Sequence, residues 1–473
     1  MRSRRASTRR PLPTAVLVGT SGLLLAFVAW GARDAGARGI PAFARKYRTS
    51  CSTCHTAAPK LNVMGEAFRL NGYRFPENDL LLRRDRPVPL GEDPWKDLWP
   101  RAIWPGEVPG DVPLAFRVQS DVRIGRDTNG SEGWTYRFPQ EVSLLAASTL
   151  GDHVATFVEA EWSREDGLEV AQAKVLFQDL LPIVPTRALN LWVGFQNLYL
   201  LTFADPKIDR AGRQAFRWQE FRAADIELRD TATSETFRSA NAFELPSAQP
   251  GVELNGLAGG RLFYGLGLAQ GAGQETADNN NHKDVYYKLR YKLGGLALDG
   301  RYAPRGGPLR GGQGQLLDRS LVIETFGYFG MEPVGSGWED RHRDYGVSLR
   351  TLLGPADLGV GYVWGRNSRP WGTLAGASRH FSLFGRGEWL VYPWLIGSLQ
   401  AERVVAEADP GTLATGYIAG RLEETRVVPG IIALLRQNVR AVAEAELFPR
   451  YRPGIGPQRA APRNLWLRLD VAF

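Results

Sequence analysis

The chain has 473 residues, enough for two or three ordinary domains or one large barrel. Charged residues make up 23% and aromatics 11%, with 53 Gly and 30 Pro, which suits a folded chain rich in strands and turns and excludes a disordered one. The net charge of +8 is not a nucleic-acid signal: residues 1–37 hold six Arg and one Asp, a net +5, so the rest carries 8 − 5 = +3, with no long basic stripe.

The first predicted element is an export signal. "MRSRRASTRR" is a basic opening, "AVLVGTSGLLLAFVAW" (15–30) an apolar core, and Ala35-Gly36-Ala37 a small-x-small cleavage site. The alternative is a retained anchor, because the apolar run lies near the lower length limit for spanning. Arg4-Arg5 has the form of a twin-arginine pair, but the strength of the apolar core favours general secretion. A signal peptide over 1–37 leaves a mature chain that begins near Arg38, outside the cytoplasm.

The next element, 38–75, contains both cysteines of the chain. Cys51 and Cys54 are three apart, which excludes a disulfide framework and a four-cysteine zinc site. With His55 they form C-x-x-C-H, the attachment pattern of c-type haem. Two thiols one helical turn apart form thioethers with the two vinyl groups, and the adjacent His55 then lies beneath the iron as proximal ligand. A redox pair of thioredoxin type needs a βαβ setting, which residues 40–75 lack. One covalent haem c is therefore expected on Cys51 and Cys54.

"PKLNVMGEAFRLNGY" reads as a short helix, with Leu61, Met64 and Phe68 on one face. Met64, nine residues after His55, is the candidate distal iron ligand; core packing is the alternative, as are a ligand from elsewhere, a water or an open site. Arg45, Lys46 and Arg48 are candidates to pair with the haem propionates, or else form a solvated basic turn. An open iron site would permit peroxide chemistry, for which Glu66 and His153 are the available bases.

Residues 76–111 are crowded with Pro and Trp, which predicts an ordered linker without regular helix or central strand. Trp95, Trp99 and Trp104 are expected to pack on the haem or on a barrel wall.

From 112 the pattern changes to period two. In "KDVYYKLRYKL" (283–293), Val285, Tyr287, Leu289, Tyr291 and Leu293 alternate with Asp284, Tyr286, Lys288, Arg290 and Lys292. "LAFRVQSDVRI" (114–124), "RLFYGLGLAQ" (261–270), "RDYGVSLRTLL" (343–353) and "DLGVGYVWG" (357–365) repeat the theme. The polar faces carry charges, as a wet lumen requires. Tyr199, Tyr328, Tyr392, Trp394 and Trp466 are expected in aromatic girdles, Gly294-Gly295 in a short turn, and 271–282 in a long outer loop.

The last ten residues, "NLWLRLDVAF", put Leu465, Leu467, Leu469, Val471 and Phe473 on one face, like the closing strand of a bacterial outer-membrane barrel. In lipid every backbone N–H and C=O must be paired, so the sheet must close. At roughly 20–24 residues per strand and connection, residues 112–473 predict a transmembrane antiparallel β-barrel of about 16 strands in the outer membrane of a Gram-negative bacterium, preceded by the short α-helical haem segment.

Together the two halves resemble the fused cytochrome–porins of bacterial outer membranes, a family linked to Fe(II) oxidation. The resemblance is carried by Pro41-Ala42-Phe43-Ala44-Arg45, Cys51 to His55, Pro59, Leu61, Asn62, Gly65, Phe68, Arg69 and Gly72-Tyr73. Met64 departs from it, standing where the family usually has an aromatic residue. The resemblance implies electron transfer across the outer membrane, from an external donor such as Fe(II), through the haem, to a periplasmic carrier such as a soluble cytochrome. The rival expectations are a porin with a structural or sensory haem, a small peroxidase-like haem enzyme, and a soluble periplasmic β-protein. A single haem cannot by itself bridge a hydrocarbon layer about 30 Å thick, so the cytochrome reading requires 38–75 to sit as a plug in the barrel.

Overall fold

In lipid, a sheet of many alternating strands must leave no free edge. A computed structural model shows that outcome. It describes residues 42–86, 88–89, 107–108, 110 and 113–473, apart from 128–129, 220–225, 240, 242, 246–247, 274–278, 302–317, 336, 373, 375 and 454–460. The signal peptide, its cleavage site, Pro41 and the linker residues Trp95, Trp99 and Trp104 lie outside the described residues.

Sixteen antiparallel strands close into a barrel. In chain order they are β1 (Leu114–Arg126), β2 (Glu132–Leu150), β3 (Val154–Ser163), β4 (Gly167–Phe177), β5 (Asn190–Gln196), β6 (Gln249–Ala258), β7 (Leu262–Ala269) and β8 (Asp284–Gly294). Then follow β9 (Arg319–Pro333), β10 (Glu339–Leu353), β11 (Ala356–Asn367), β12 (Ser378–Tyr392), β13 (Leu395–Ala408), β14 (Arg421–Arg436), β15 (Val439–Pro453) and β16 (Arg463–Ala472). Closure is the pairing of β16 with β1, Leu465 opposite Ile124 and Val471 opposite Val118. Beyond it, Phe473 and Phe116 exchange two backbone hydrogen bonds of 2.7 and 2.8 Å, and their rings stack.

The alternation read from the sequence sorts the side chains as expected. On β8, Val285, Tyr287, Leu289, Tyr291 and Leu293 face outward at 36–43% exposure, while Asp284, Tyr286, Lys288, Arg290 and Lys292 are buried in the lumen. On β16, Leu465 and Leu467 face outward and Asn464, Arg468 and Asp470 inward. The result is an apolar outer belt around an ionic interior, the inverse of a water-soluble barrel.

One end of the barrel carries short turns: β2–β3, β6–β7, β10–β11, β12–β13 and β14–β15 are joined by two or three residues each. At the opposite end, residues 271–273 and 279–282, the described part of the expected outer loop, join β7 to β8. Gly294-Gly295 does not form a short turn. Both glycines have positive φ and end β8, but β9 starts only at Arg319. Leu296 and Leu298 of this longer connection bury themselves against the N-terminal segment, which offers apolar surface that a tight turn would not use.

The long connection between β5 and β6 sends residues 202–218 into the interior: Thr202 and Phe203 donate their backbone N–H groups to Glu324, Gln214 donates to Glu444, and Trp218 to Glu402. Phe203, Phe216 and Trp218 stack around Phe384. Three of the expected girdle residues belong to this interior. Tyr199 is buried in the inserted connection, and Tyr328 is fully buried on the luminal face of β9, where its hydroxyl donates to Asp284 at 2.7 Å. Trp466 also faces inward, beneath Arg213 at 3.4 Å. Tyr392 and Trp394 remain outside, exposed and stacked at the short-turn end, as a girdle pair would be.

Candidate haem site

The segment that carries the motif enters the barrel from the short-turn end. It begins with α1 (Ala42–Tyr47), passes through a 3-10 turn at Cys51–Thr53 and a ribbon pairing His55–Ala57 with Lys60–Leu61, and continues as α2 (Val63–Leu70). A third helix, α3 (Asp79–Leu82), follows within the stretch read as linker, and Val88–Pro89 pairs with Glu107–Val108. The helix read around Met64 thus starts after Leu61, which joins the ribbon instead.

Asn62 explains that boundary. Its side chain caps α2, accepting from Met64 N and Gly65 N at 3.0 and 2.9 Å. Its amide donates back to the Ser52 and Thr53 carbonyls at 3.0 and 3.2 Å, and its backbone N–H donates to Cys54 O at 2.9 Å. One residue therefore ties the start of α2 to the cysteine turn. Gly65 lets the two approach: a Cβ there would stand 2.0 Å from Cys54 O.

Cys51 and Cys54 are free thiols flanking the 3-10 turn, with Cys54 N bonded to Cys51 O at 3.2 Å. Burial raises both thiols, Cys54 to about 12, so each is neutral at pH 7. His55 Nδ1 stands 3.3 Å from Pro59 O. A carbonyl only accepts, so Nδ1 carries the proton and Nε2 holds the lone pair, the tautomer that a metal-binding imidazole needs. Burial, opposed by these backbone bonds, holds the His55 pKa below its ordinary value. Two neutral thiols on one turn and an adjacent imidazole braced at Nδ1 fit a covalent haem: Cys51 and Cys54 would hold the porphyrin and His55 the iron.

Met64 lies on α2, partly buried against Val63, Leu296 and Leu352. Arg45 donates to Leu114 O at 2.6 Å, and Lys46 is buried with its ammonium on Thr149 Oγ1, so both hold α1 to the wall. Arg48 is exposed. Glu66 is buried between Arg290 and Arg350, at 3.5 and 3.4 Å, and His153 is exposed in the β2–β3 turn.

The sequence reading missed what anchors the segment. Lys60 has no exposed surface, and its ammonium lies 2.5 Å from Asp357, 2.6 Å from Glu388 and 3.4 Å from Asp209. Asp357 and Glu388 belong to the wall (β11 and β12) and Asp209 to the inserted connection. Burial alone would lower the Lys60 pKa; the three carboxylates outweigh it and raise it. Leu61 N donates to Ile208 O at 2.8 Å, joining the two fillings of the lumen. Around this contact Phe43, Tyr47, Phe68, Tyr73 and Phe75 form an aromatic cluster with centroid spacings from 4.7 Å. Arg117 and Arg440, among the first four residues of β1 and β15 at the short-turn end, add to burial in lowering the His55 pKa.

No family model matches the chain, and no curated protein matches it. Among solved structures it is similar to the anion-selective porin from Comamonas acidovorans, at 12% identity over 77% of this chain and 99% of that one, with a TM-score of 0.51. It is also similar to Salmonella typhi OmpF in complex with daunomycin, at 9% identity over 78% and 98%, TM-score 0.49. The outer-membrane expressed OmpT of Vibrio cholerae is a third, at 12% identity over 82% and 100%, TM-score 0.45. The first likeness establishes the fold, a closed 16-strand barrel of the porin type.

Proposed function

We propose that this chain is an outer-membrane barrel whose luminal plug carries one covalent haem c, and that it passes single electrons between an external donor, Fe(II) being the candidate, and a periplasmic carrier. The observation that carries this reading is the brace on His55: its Nδ1 is committed to Pro59 O in a C-x-x-C-H turn fixed by Asn62. Haem c, when bound, supplies a one-electron Fe(III)/Fe(II) couple.

The chain's own residues do the rest. Asn62 and Gly65 hold the cysteine turn against α2. Lys60 fixes the plug to the wall at three carboxylates. The inserted stretch 202–218, held on Glu324, Glu402 and Glu444, occupies part of the lumen, which favours electron over solute transport. Short turns mark the periplasmic end of such barrels, so the motif would open toward the periplasm and the long loops toward the donor.

The test is the spectrum of detergent-purified protein. Covalent haem predicts a reduced-minus-oxidised c-type spectrum that survives denaturation, and reduction by Fe(II). A porin with a structural or sensory haem predicts instead large conductance in planar bilayers, independent of redox state.

A further inference from the structure

The described part of the plug, residues 42–86, holds nine Lys and Arg against four Asp and Glu, a net of 9 − 4 = +5. Several of these are spent internally: Lys46 on Thr149, Lys60 on its carboxylates, Arg74 on the Gly151 and Val154 carbonyls. The excess appears next to α3. Leu80, Leu81 and Leu82 are exposed at 69, 74 and 39%, and Arg84 and Arg86 beside them are exposed as well. Of the nearby acids, Asp79 accepts from Tyr47 at 2.7 Å, Asp85 faces Arg83 at 3.4 Å, and the exposed Glu77 lies 3.6 Å from Arg301. Three consecutive exposed leucines are costly in water, and an apolar centre beside a net-basic rim is the anatomy of a transient docking site.

The patch is coupled to the motif. Arg84 N donates to Lys46 O at 2.8 Å and Tyr47 anchors α3 through Asp79, so α3 rests on α1, four residues before Cys51. Arg48, the residue after α1, is exposed as well.

We infer that Leu80, Leu81 and Leu82, with the exposed Arg84 and Arg86 beside them, form the docking surface for a small soluble electron carrier with an acidic face. This rests on the haem reading above, and it names the chemistry of the periplasmic partner. The occupant is a protein and not a lipid because the surface is built onto the helix that leads into the cysteine turn, and because its rim complements an acid-ringed redox partner.

The experiment uses full-length protein in nanodiscs and two probes, a soluble monohaem cytochrome of acidic surface and one of basic surface, with binding as the readout. The acidic probe binds, and its affinity falls as salt rises. Arg84→Glu with Arg86→Glu weakens that binding about tenfold, and Leu80→Ser with Leu81→Ser does so with little change in salt dependence. Both variants alter exposed side chains, and retained heat-modifiable migration verifies the barrel. Unchanged binding in both variants, or preference for the basic probe, overturns the inference. So does a loss of attachment to anionic lipid vesicles in place of the cytochrome. A wild-type barrel that lacks porphyrin absorbance, yet binds the acidic probe through these residues, fails the haem reading and leaves the surface standing.

Discussion

Lys60 on the N-terminal segment and Glu388 on the barrel wall meet at 2.6 Å across 328 residues of chain. With Asp357 and Asp209 they make the contact that joins plug, wall and inserted connection. Removing one partner of a buried ionic group leaves the others uncompensated, at a cost of about 3–5 kcal/mol. Lys60→Met should therefore loosen the plug without opening the sheet. The expected outcome is new protease cleavage within 42–86 and a rise in bilayer conductance, with barrel migration retained. Wild-type protection in Lys60→Met would remove this cluster from the anchoring.

The same cluster sets a pH window. Lys60 is raised above its ordinary 10.5, so its contribution is complete below pH 10.5 and is lost only as pH rises through the still higher folded value. Asp209 is buried, but Arg350, Arg386 and Lys60 hold it below its ordinary 3.8, so its contribution is complete above pH 3.8 and is lost as pH falls through the lower folded value. The share of plug protection that Lys60→Met removes, followed by limited proteolysis of wild type and variant, should be flat between these limits. A midpoint near pH 6 would contradict the assignment.

Asn62→Ala should detach the cysteine turn from α2. It removes the cap on Met64 N and Gly65 N and leaves the Ser52 and Thr53 carbonyls without their donor. The cap alone is worth about 1 kcal/mol, and each buried carbonyl adds to that. Gly65→Ala should act at the same place through its clash with Cys54 O. Both variants should show less haem per chain, measured by absorbance against protein, at equal barrel yield.

Met64 packs on Val63, Leu296 and Leu352. Met64→Ala should leave the oxidised and reduced haem spectra unchanged and lower only the thermal stability, by about 2–5 kcal/mol if the cavity does not collapse. A spectral shift would instead make Met64 the second axial ligand.

The barrel was legible because period two is a local property. Asp284–Gly294 and Arg463–Ala472 each declare two faces within one strand, and the structure sorts them accordingly. The motif Cys51 to His55 is local too, five consecutive residues, and the haem it implies belongs to the proposal above. The chain inserted in the lumen was not legible. The partners of Thr202, Gln214 and Trp218 lie 122, 230 and 184 residues away, on Glu324, Glu444 and Glu402, and nothing near them in the chain signals the pairing. Tyr328 was mistaken for a girdle residue because aromaticity was weighed above register. Ser320, Val322, Glu324 and Phe326 share its buried face, and Glu324 among them marks that face as luminal. Asn62 did carry a readable signal, an Asn directly before a helix.

The central claim is that Cys51, Cys54 and His55 bear a haem inside a barrel that sits in lipid. The most direct measurement is haem stoichiometry on protein extracted from outer membranes with detergent and then denatured, compared with Cys51→Ser/Cys54→Ser. The account predicts one porphyrin per wild-type chain, retained after denaturation, and none in the variant, with both showing the same heat-modifiable migration. Membrane-extracted wild-type chain without porphyrin absorbance would contradict it.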